Sequence, residues 1–196
     1  MPATIFPSEV AEIVFVIILV VWALSEFVGG QLIPMIRRGG KRVQRRHESA
    51  SALIEWMSVF ILSLIFASKQ IAILPSWTYY LGITLMLLGI VLRQWAMAVL
   101  GRYFSSILGT QKEQRVVDTG PYRFVRHPSY TGVLLLQIGI GLSLLSWGAV
   151  IVIFLLFGIA FGYRIRVEEK ILISELGDSY ISYMRRTKKR LIPFMV

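Results

Sequence analysis

Residues 133–161 read VLLLQIGIGLSLLSWGAVIVIFLLFGIAF, a stretch without one charged side chain. Two apolar blocks lie in and around it, Tyr130 to Leu145 and Trp147 to Tyr163. Ser146-Trp147-Gly148 leaves almost no loop between them. A bilayer-spanning helix needs about 20 residues, with about 17 tolerated. The two blocks therefore predict a tight antiparallel hairpin of short membrane helices whose ends extend into polar flanks. Gly139, Gly141, Gly148, Gly158 and Gly162 are expected to bring backbones close within it.

Outward from this hairpin, three more apolar segments appear: Val10 to Val28, Ala52 to Ala67, and about Trp77 to Leu100. A chain of 196 residues that is 56% hydrophobic and only 16% charged fits a membrane protein better than a soluble domain. The expectation is an all-α polytopic bundle of about five spans in a single domain, 1–196. The stretches 101–129 and 164–196 would form its cytoplasmic part.

The basic residues set the count and the orientation. Of 21 lysines and arginines, all but Lys69 and Arg93 fall in three places. These are the link from the first segment to the second, the link from the third to the fourth, and the C-terminal tail. Five spans put all three on one side, whereas four or six would split them across both. The positive-inside rule then predicts an outside N-terminus and a cytoplasmic C-terminus, in a cytoplasmic membrane or an endoplasmic reticulum. The basic face would meet anionic lipid, which accounts for the net charge of +10 without nucleic acid. Glu9 and Glu12 precede the first apolar run, so it is not expected to be a secretory signal. With no cysteine and only His47 and His127, a thiolate or all-histidine metal site is excluded and no metal is expected.

Three constellations invite chemistry. Arg126-His127-Pro128-Ser129-Tyr130 stands at the mouth of the bundle, where Pro128 suits a first helical turn whose free N–H groups favour an anion. The cluster is expected to face water. Tyr122 and Tyr130 offer flat rings to a base or a sulfonium. An interfacial belt of arginine and tyrosine fits the same residues. Arg164 and Glu168, four apart, share a helix face, whether as a site or as a solvated ion pair. The segment from Arg164 to about Arg185 reads as an amphipathic helix pair broken at Gly177-Asp178. Glu26, Glu55 and Arg93 lie inside apolar segments, and a pairing of Glu55 with Arg93 is the expected account of two of them. His47 reads as surface. No dinucleotide fingerprint, phosphate loop, zinc-protease motif or serine elbow occurs.

At these residues the chain resembles the isoprenylcysteine carboxyl methyltransferase family. Arg126-His127-Pro128-Ser129-Tyr130-Thr131-Gly132 is similar to that family's Arg-His-Pro-x-Tyr-x-Gly motif, with Val116-Val117-Asp118-Thr119-Gly120-Pro121-Tyr122 as its lead-in. Glu168-Glu169, Leu176-Gly177, Tyr180, Tyr183 and Ile192-Pro193 resemble its C-terminal pattern. The first hundred residues resemble it only in hydrophobic profile. The resemblance implies S-adenosylmethionine as cofactor, with S-adenosylhomocysteine as product. It implies a pocket from Gln111, Val116, Val117, Tyr122, His127, Pro128, Ser129, Tyr130 and Glu168, with Glu169 the alternative acidic residue, and with Arg164 orienting the acceptor carboxylate. Helical phase favours Glu168 over Glu169, because it shares a face with Arg164. The implied substrate is a prenylated cysteine that enters from the bilayer. A phospholipid N-methyltransferase and an NADPH-dependent sterol-type reductase stand as alternatives, and a non-enzymatic scaffold after them.

Overall fold

The computed structural model describes residues 6–32, 61, 65, 73–104 and 114–191. The expected span 52–67 is thus essentially outside the described residues, as are His47, Glu55, Gln111, Ile192 and Pro193. Among the described residues, five α-helices carry the fold: α1 (Glu9–Glu26), α2 (Thr78–Leu100), α3 (Pro128–Ser143), α4 (Trp147–Leu176) and α5 (Asp178–Arg186). A π-helical turn, Phe27–Leu32, extends α1. Among the described residues the only strand-like pairing is one antiparallel bridge, Ile73 with Ser146. Among the described residues three helical stretches, Glu9–Gly30, Thr78–Tyr103 and Trp147–Leu176, are long and apolar enough to cross a membrane.

Local sequence explains the boundaries. Ser8 caps α1, accepting the Ala11 N–H over 3.1 Å, and Glu9 and Glu12 sit favourably in its first turn. Pro128 opens α3 at a position where the missing N–H costs nothing. Leu145 takes a positive φ of 53° to turn the chain, and Ser146 then caps α4 by accepting from Ala149 N–H over 3.3 Å. Gly177, at φ 52°, ends α4 and starts α5.

α3 is the buried centre. Its 16 residues are shorter than a typical span, and most of them are covered. The expected glycine contacts are real but lie elsewhere. Gly82 of α2 faces Gly139 of α3, and Gly89 faces Gly132. A Cβ on Gly139 would stand 2.6 Å from the Gly82 carbonyl oxygen, and one on Gly132 2.7 Å from that of Gly89. Within the α3–α4 hairpin Gly141 meets its partner helix, at Val150 and Ile153, while Gly158 and Gly162 have nothing within 4 Å. The seam runs between consecutive described spans, α2 and α3, because a spacing of seven residues returns the glycines to one helix face. Met86, Ile90, Leu136 and Ile140 fill the intervals, and Phe15, Ile18 and Tyr79 join α1 to the same core. The Tyr79 hydroxyl donates to the Ala11 carbonyl over 2.7 Å. Outward faces stay greasy: Val10, Ile17 and Leu24 on α1, Leu88 and Val91 on α2, and Phe154 and Ile159 on α4 are exposed, as lipid-facing residues are.

Helix α4 runs well past the apolar stretch that ends at Tyr163. The first half of the expected amphipathic pair is therefore its continuation, and only α5 stands as a separate helix.

Gly139→Leu should destabilise the protein by about 1–3 kcal/mol or more, because it drives side chain into backbone. Gly158→Leu should leave the melting temperature in detergent near that of the parent protein. Paired thermal melts check this.

Candidate active site

Arg126-His127-Pro128-Ser129 is not the water-facing cluster expected from the sequence. Arg126 is 8% exposed and His127 5%. The cause is a strap, residues 187–191, that lies over the start of α3. The Arg126 and His127 backbone N–H groups donate to the carbonyls of Lys189 and Arg190, each over 2.9 Å. Thr131 Oγ1 donates to the Leu191 carbonyl over 2.5 Å. Arg126 Nη1 donates to the carbonyls of Thr187 (2.9 Å) and Lys188 (2.8 Å). Arginine's five donors allow such multiple engagement.

Glu169 gathers the other charges. Its Oε1 accepts from Arg126 Nε over 2.8 Å and lies 3.3 Å from His127 Nε2. Its Oε2 accepts from Arg190 Nη2 over 2.9 Å. At 4% exposure this carboxylate is fully engaged in tying α4, α3 and the strap together. Removing one partner of such a cluster leaves an uncompensated buried charge.

Glu168 behaves differently. Tyr130 projects from the first turn of α3, and its hydroxyl donates to Glu168 Oε2 over 2.6 Å. The same hydroxyl accepts from Arg164 Nε over 2.9 Å. Arg164 and Glu168 do share a face of α4, as their spacing predicts, but they meet through this phenol rather than as a direct pair. Glu168 Oε1 has no hydrogen-bond partner among the described residues, and all three side chains are half-buried. The His127 ring stacks on Tyr130 with centroids 5.6 Å apart, and Phe161 packs edge-on to Tyr130 at 5.1 Å. Phe157 stacks on Phe161 at 4.1 Å, extending the aromatic wall along α4 into the apolar part of the bundle.

The lead-in closes the other side. Gly120 (φ 57°) begins a short turn, Gly120–Arg123, against Val99 of α2. Tyr122 is buried there, its phenol held well above the usual value by burial first and by the field of Glu168 second. Tyr183 of α5 donates to the Tyr122 carbonyl over 2.7 Å. Burial, foremost, raises the Tyr183 pKa, so this donor stays protonated throughout the ordinary pH range. Val116 and Val117 lie half-buried in the preceding extended stretch, whose Asp118 accepts from the exposed Arg186 over 2.9 Å.

The structure thus brings His127, Tyr130, Arg164 and Glu168 together, with Tyr122 buried in the adjoining turn. It places Glu169 behind them in the ion cluster, and it gives Ser129 a partner on α2: Arg93 Nη1 donates to Ser129 Oγ over 2.8 Å. The expected Glu55 partner of Arg93 lies outside the described residues; among the described residues the carboxylate that Arg93 meets is Glu26. Both its Nε and Nη2 donate to Glu26, because α1 packs beside α2 at that height. Sequence reasoning missed the Glu26–Arg93 link and the strap. The signal for the first was two opposite charges, each in an apolar segment. The strap had none, because it is read through carbonyl oxygens.

These features define a membrane helical bundle whose polar site lies beside the end of its apolar core. Residues 80–174 match the profile of the isoprenylcysteine carboxyl methyltransferase (ICMT) family. The chain is 44% identical over 109 residues to the protein-S-isoprenylcysteine O-methyltransferase of Saccharomyces cerevisiae, covering 54% of this chain and 45% of that protein. It is 31% identical over 121 residues to protein-S-isoprenylcysteine O-methyltransferase B of Arabidopsis thaliana, covering 61% of each. The Xenopus laevis protein-S-isoprenylcysteine O-methyltransferase is 32% identical over 159 residues, 74% of this chain and 50% of its own. The chain therefore spans about half the length of these relatives. The fold is similar to that of a eukaryotic intramembrane Ras methyltransferase, ICMT, with a TM-score of 0.61 at 24% identity, over 87% of this chain and 60% of that one.

Glu169→Ala should destabilise the protein by about 3–5 kcal/mol, the range for breaking a buried ion cluster. It should also speed hydrogen exchange at the Arg126 and His127 amides, which a mass-spectrometric time course reads directly.

Proposed function

We propose that this chain catalyses methyl transfer from S-adenosylmethionine to the C-terminal carboxylate of a prenylated cysteine. The carrying observation is the Arg164–Tyr130–Glu168 constellation beside the Phe157–Phe161 wall. An arginine that holds a carboxylate next to a carboxylate that holds an ammonium suits an anionic acceptor and an amino-acid donor together. The matched family profile supports the same reading.

The residues fit the cofactor. Glu168 Oε1, half-buried and without a hydrogen-bond partner among the described residues, suits an ammonium group. The rings of Tyr122, His127 and Tyr130 suit a flat base or a sulfonium. Gln111, Val116, Val117, Pro128 and Ser129 complete the pocket that the family resemblance implies. Pro128 is fully buried and Ser129 bonded to Arg93, so these two shape the wall from behind. When bound, S-adenosylmethionine supplies a methyl group on a positively charged sulfur.

The chain's own part is alignment. Arg164 presents the acceptor carboxylate, which is already ionised near neutral pH, so no general base is required. The Tyr130 hydroxyl accepts from Arg164 and donates to Glu168, and so fixes the distance between the two ligand-holding groups. Carboxylate and sulfonium lose charge as they react, and a site covered by strap and aromatic wall lowers the cost of that loss. The prenyl tail would reach the site from the bilayer along the apolar face, and the cofactor from the basic, cytoplasmic side, with the N-terminus outside. The positive-inside distribution supports that orientation. The endoplasmic reticulum and the cytoplasmic membrane fit it equally. An amine acceptor, as in a phospholipid N-methyltransferase, would meet the Arg164 cation unfavourably. The reductase alternative would leave the Glu168 and Arg164 pair without a task.

Titration of the purified protein with S-adenosylhomocysteine and with NADPH tests this. Saturable binding of the first alone, followed by base-labile methylation of a farnesylated cysteine acid, is the expected result. Arg164→Ala should lower transfer by about 10²-fold or more while cofactor affinity is retained, as for loss of a group acting on the reacting carboxylate. Glu168→Gln should lose activity without losing thermal stability, whereas Glu169→Gln should lose stability first. NADPH binding, or methylation of a lipid amine in place of the acid, would refute the reading.

A further inference from the structure

A polar joint lies across α3 from Tyr130. Glu26, at the junction of α1 with its π-helical turn, grips the Arg93 guanidinium with both carboxylate oxygens. The remaining terminal nitrogen of Arg93 reaches Ser129. One residue on, Gln94 Nε2 donates to Ser25 Oγ over 3.0 Å. Gly29 of the π-helical turn makes room for this: a Cβ there would lie 2.5 Å from Gln94 Oε1. Arg93 is 9% exposed and Ser129 8%. Ionisable groups inside an apolar bundle are costly, and a buried pair is weak evidence of a purely stabilising role. π-helical turns also recur at functional sites.

The geometry points to a task. Ser129 and Tyr130 are neighbours on α3, separated by roughly 100° of helix rotation. Pinning the first therefore sets the direction of the second. We propose that Arg93 and Glu26 are positioning residues for methyl transfer. Through Ser129 they fix the rotation of the first turn of α3, and with it the angle at which Tyr130 meets Arg164 and Glu168. Only a guanidinium can do this, because it gives two parallel donors to a carboxylate and a further one to the hydroxyl. Lysine would hold Glu26 as a point charge and release Ser129. Ser129 then acts through its Arg93 bond rather than by touching the cofactor. This inference rests on the methyltransferase reading.

The test uses the full chain in detergent with three variants: Arg93→Lys, Ser129→Ala and the double substitution. Each single change should lower kcat about tenfold, the scale of a small misalignment, while affinity for S-adenosylhomocysteine stays near wild type. The double variant should be no worse than the worse single, since both cut one link. Ser129→Ala leaves the Glu26–Arg93 pair intact and removes a single hydrogen bond, so it should still fold with a modestly lowered melting temperature; if Arg93→Lys fails to fold, Ser129→Ala alone decides. Full kcat in Ser129→Ala would overturn the inference. So would additive losses, or a fall in S-adenosylhomocysteine affinity parallel to kcat, which would put Ser129 against the cofactor. The wild-type protein separates this from failure of the underlying reading: if it binds no S-adenosylhomocysteine and methylates nothing, both fall together.

Discussion

The seam between α2 and α3 is the contact on which the rest depends. Gly82 against Gly139 and Gly89 against Gly132 let two backbones touch where any side chain would hold them apart. In an apolar solvent, burial of greasy surface gives little reason for helices to associate, so close packing must do it. The seam also sets register. With Gly89 on Gly132, the next turn toward the polar end brings Arg93 opposite Ser129. From that point the polar chemistry follows: Arg93 reaches α1 on one side and the site helix on the other.

Two neighbouring glutamates on α4 illustrate how one helical step divides labour. Glu169 points at the strap and meets three cationic or hydrogen-bonding partners, which leaves it nothing for a ligand. Glu168, rotated by about 100°, points at Tyr130 and keeps one oxygen without a partner among the described residues. The first holds the site closed and the second is suited to work within it. The aromatic wall of Phe157 and Phe161 continues from Glu168's side of the helix into the bundle, so polar and greasy parts of a single substrate would find their matching surfaces in sequence order along α4.

Much of this was legible beforehand. The 3.6-residue phase of Arg164 and Glu168 was enough to put them together, and Pro128 marked the start of a helix. The long apolar runs marked helices α1, α2 and α4. The glycines announced close approach, but not with which helix, because small residues carry no information about their partner. The charge in its apolar segment marked Arg93 as needing a carboxylate and pointed to Glu55; the link to Glu26 was not foreseen, because spacing along the chain does not say which helices pack side by side. The end of α4 was illegible for a different reason: a membrane helix and its solvated extension share one backbone, and only hydropathy changes at Tyr163. The burial of Arg126 and His127 came from contacts with a distant segment, which no local pattern reports.

That segment touches the site almost wholly through carbonyl oxygens, those of Thr187, Lys188, Lys189, Arg190 and Leu191. Every amino acid carries the same carbonyl. The strap is therefore read largely by shape and length rather than by spelling, although the Arg190 side chain anchors it to Glu169 and Leu191 packs against the Val133–Leu134–Phe157 cluster. Because the backbone carbonyls have to fall opposite Arg126, His127 and Thr131 at fixed intervals, a shift of one residue in the strap's length would cost more than a change of identity at one of its positions.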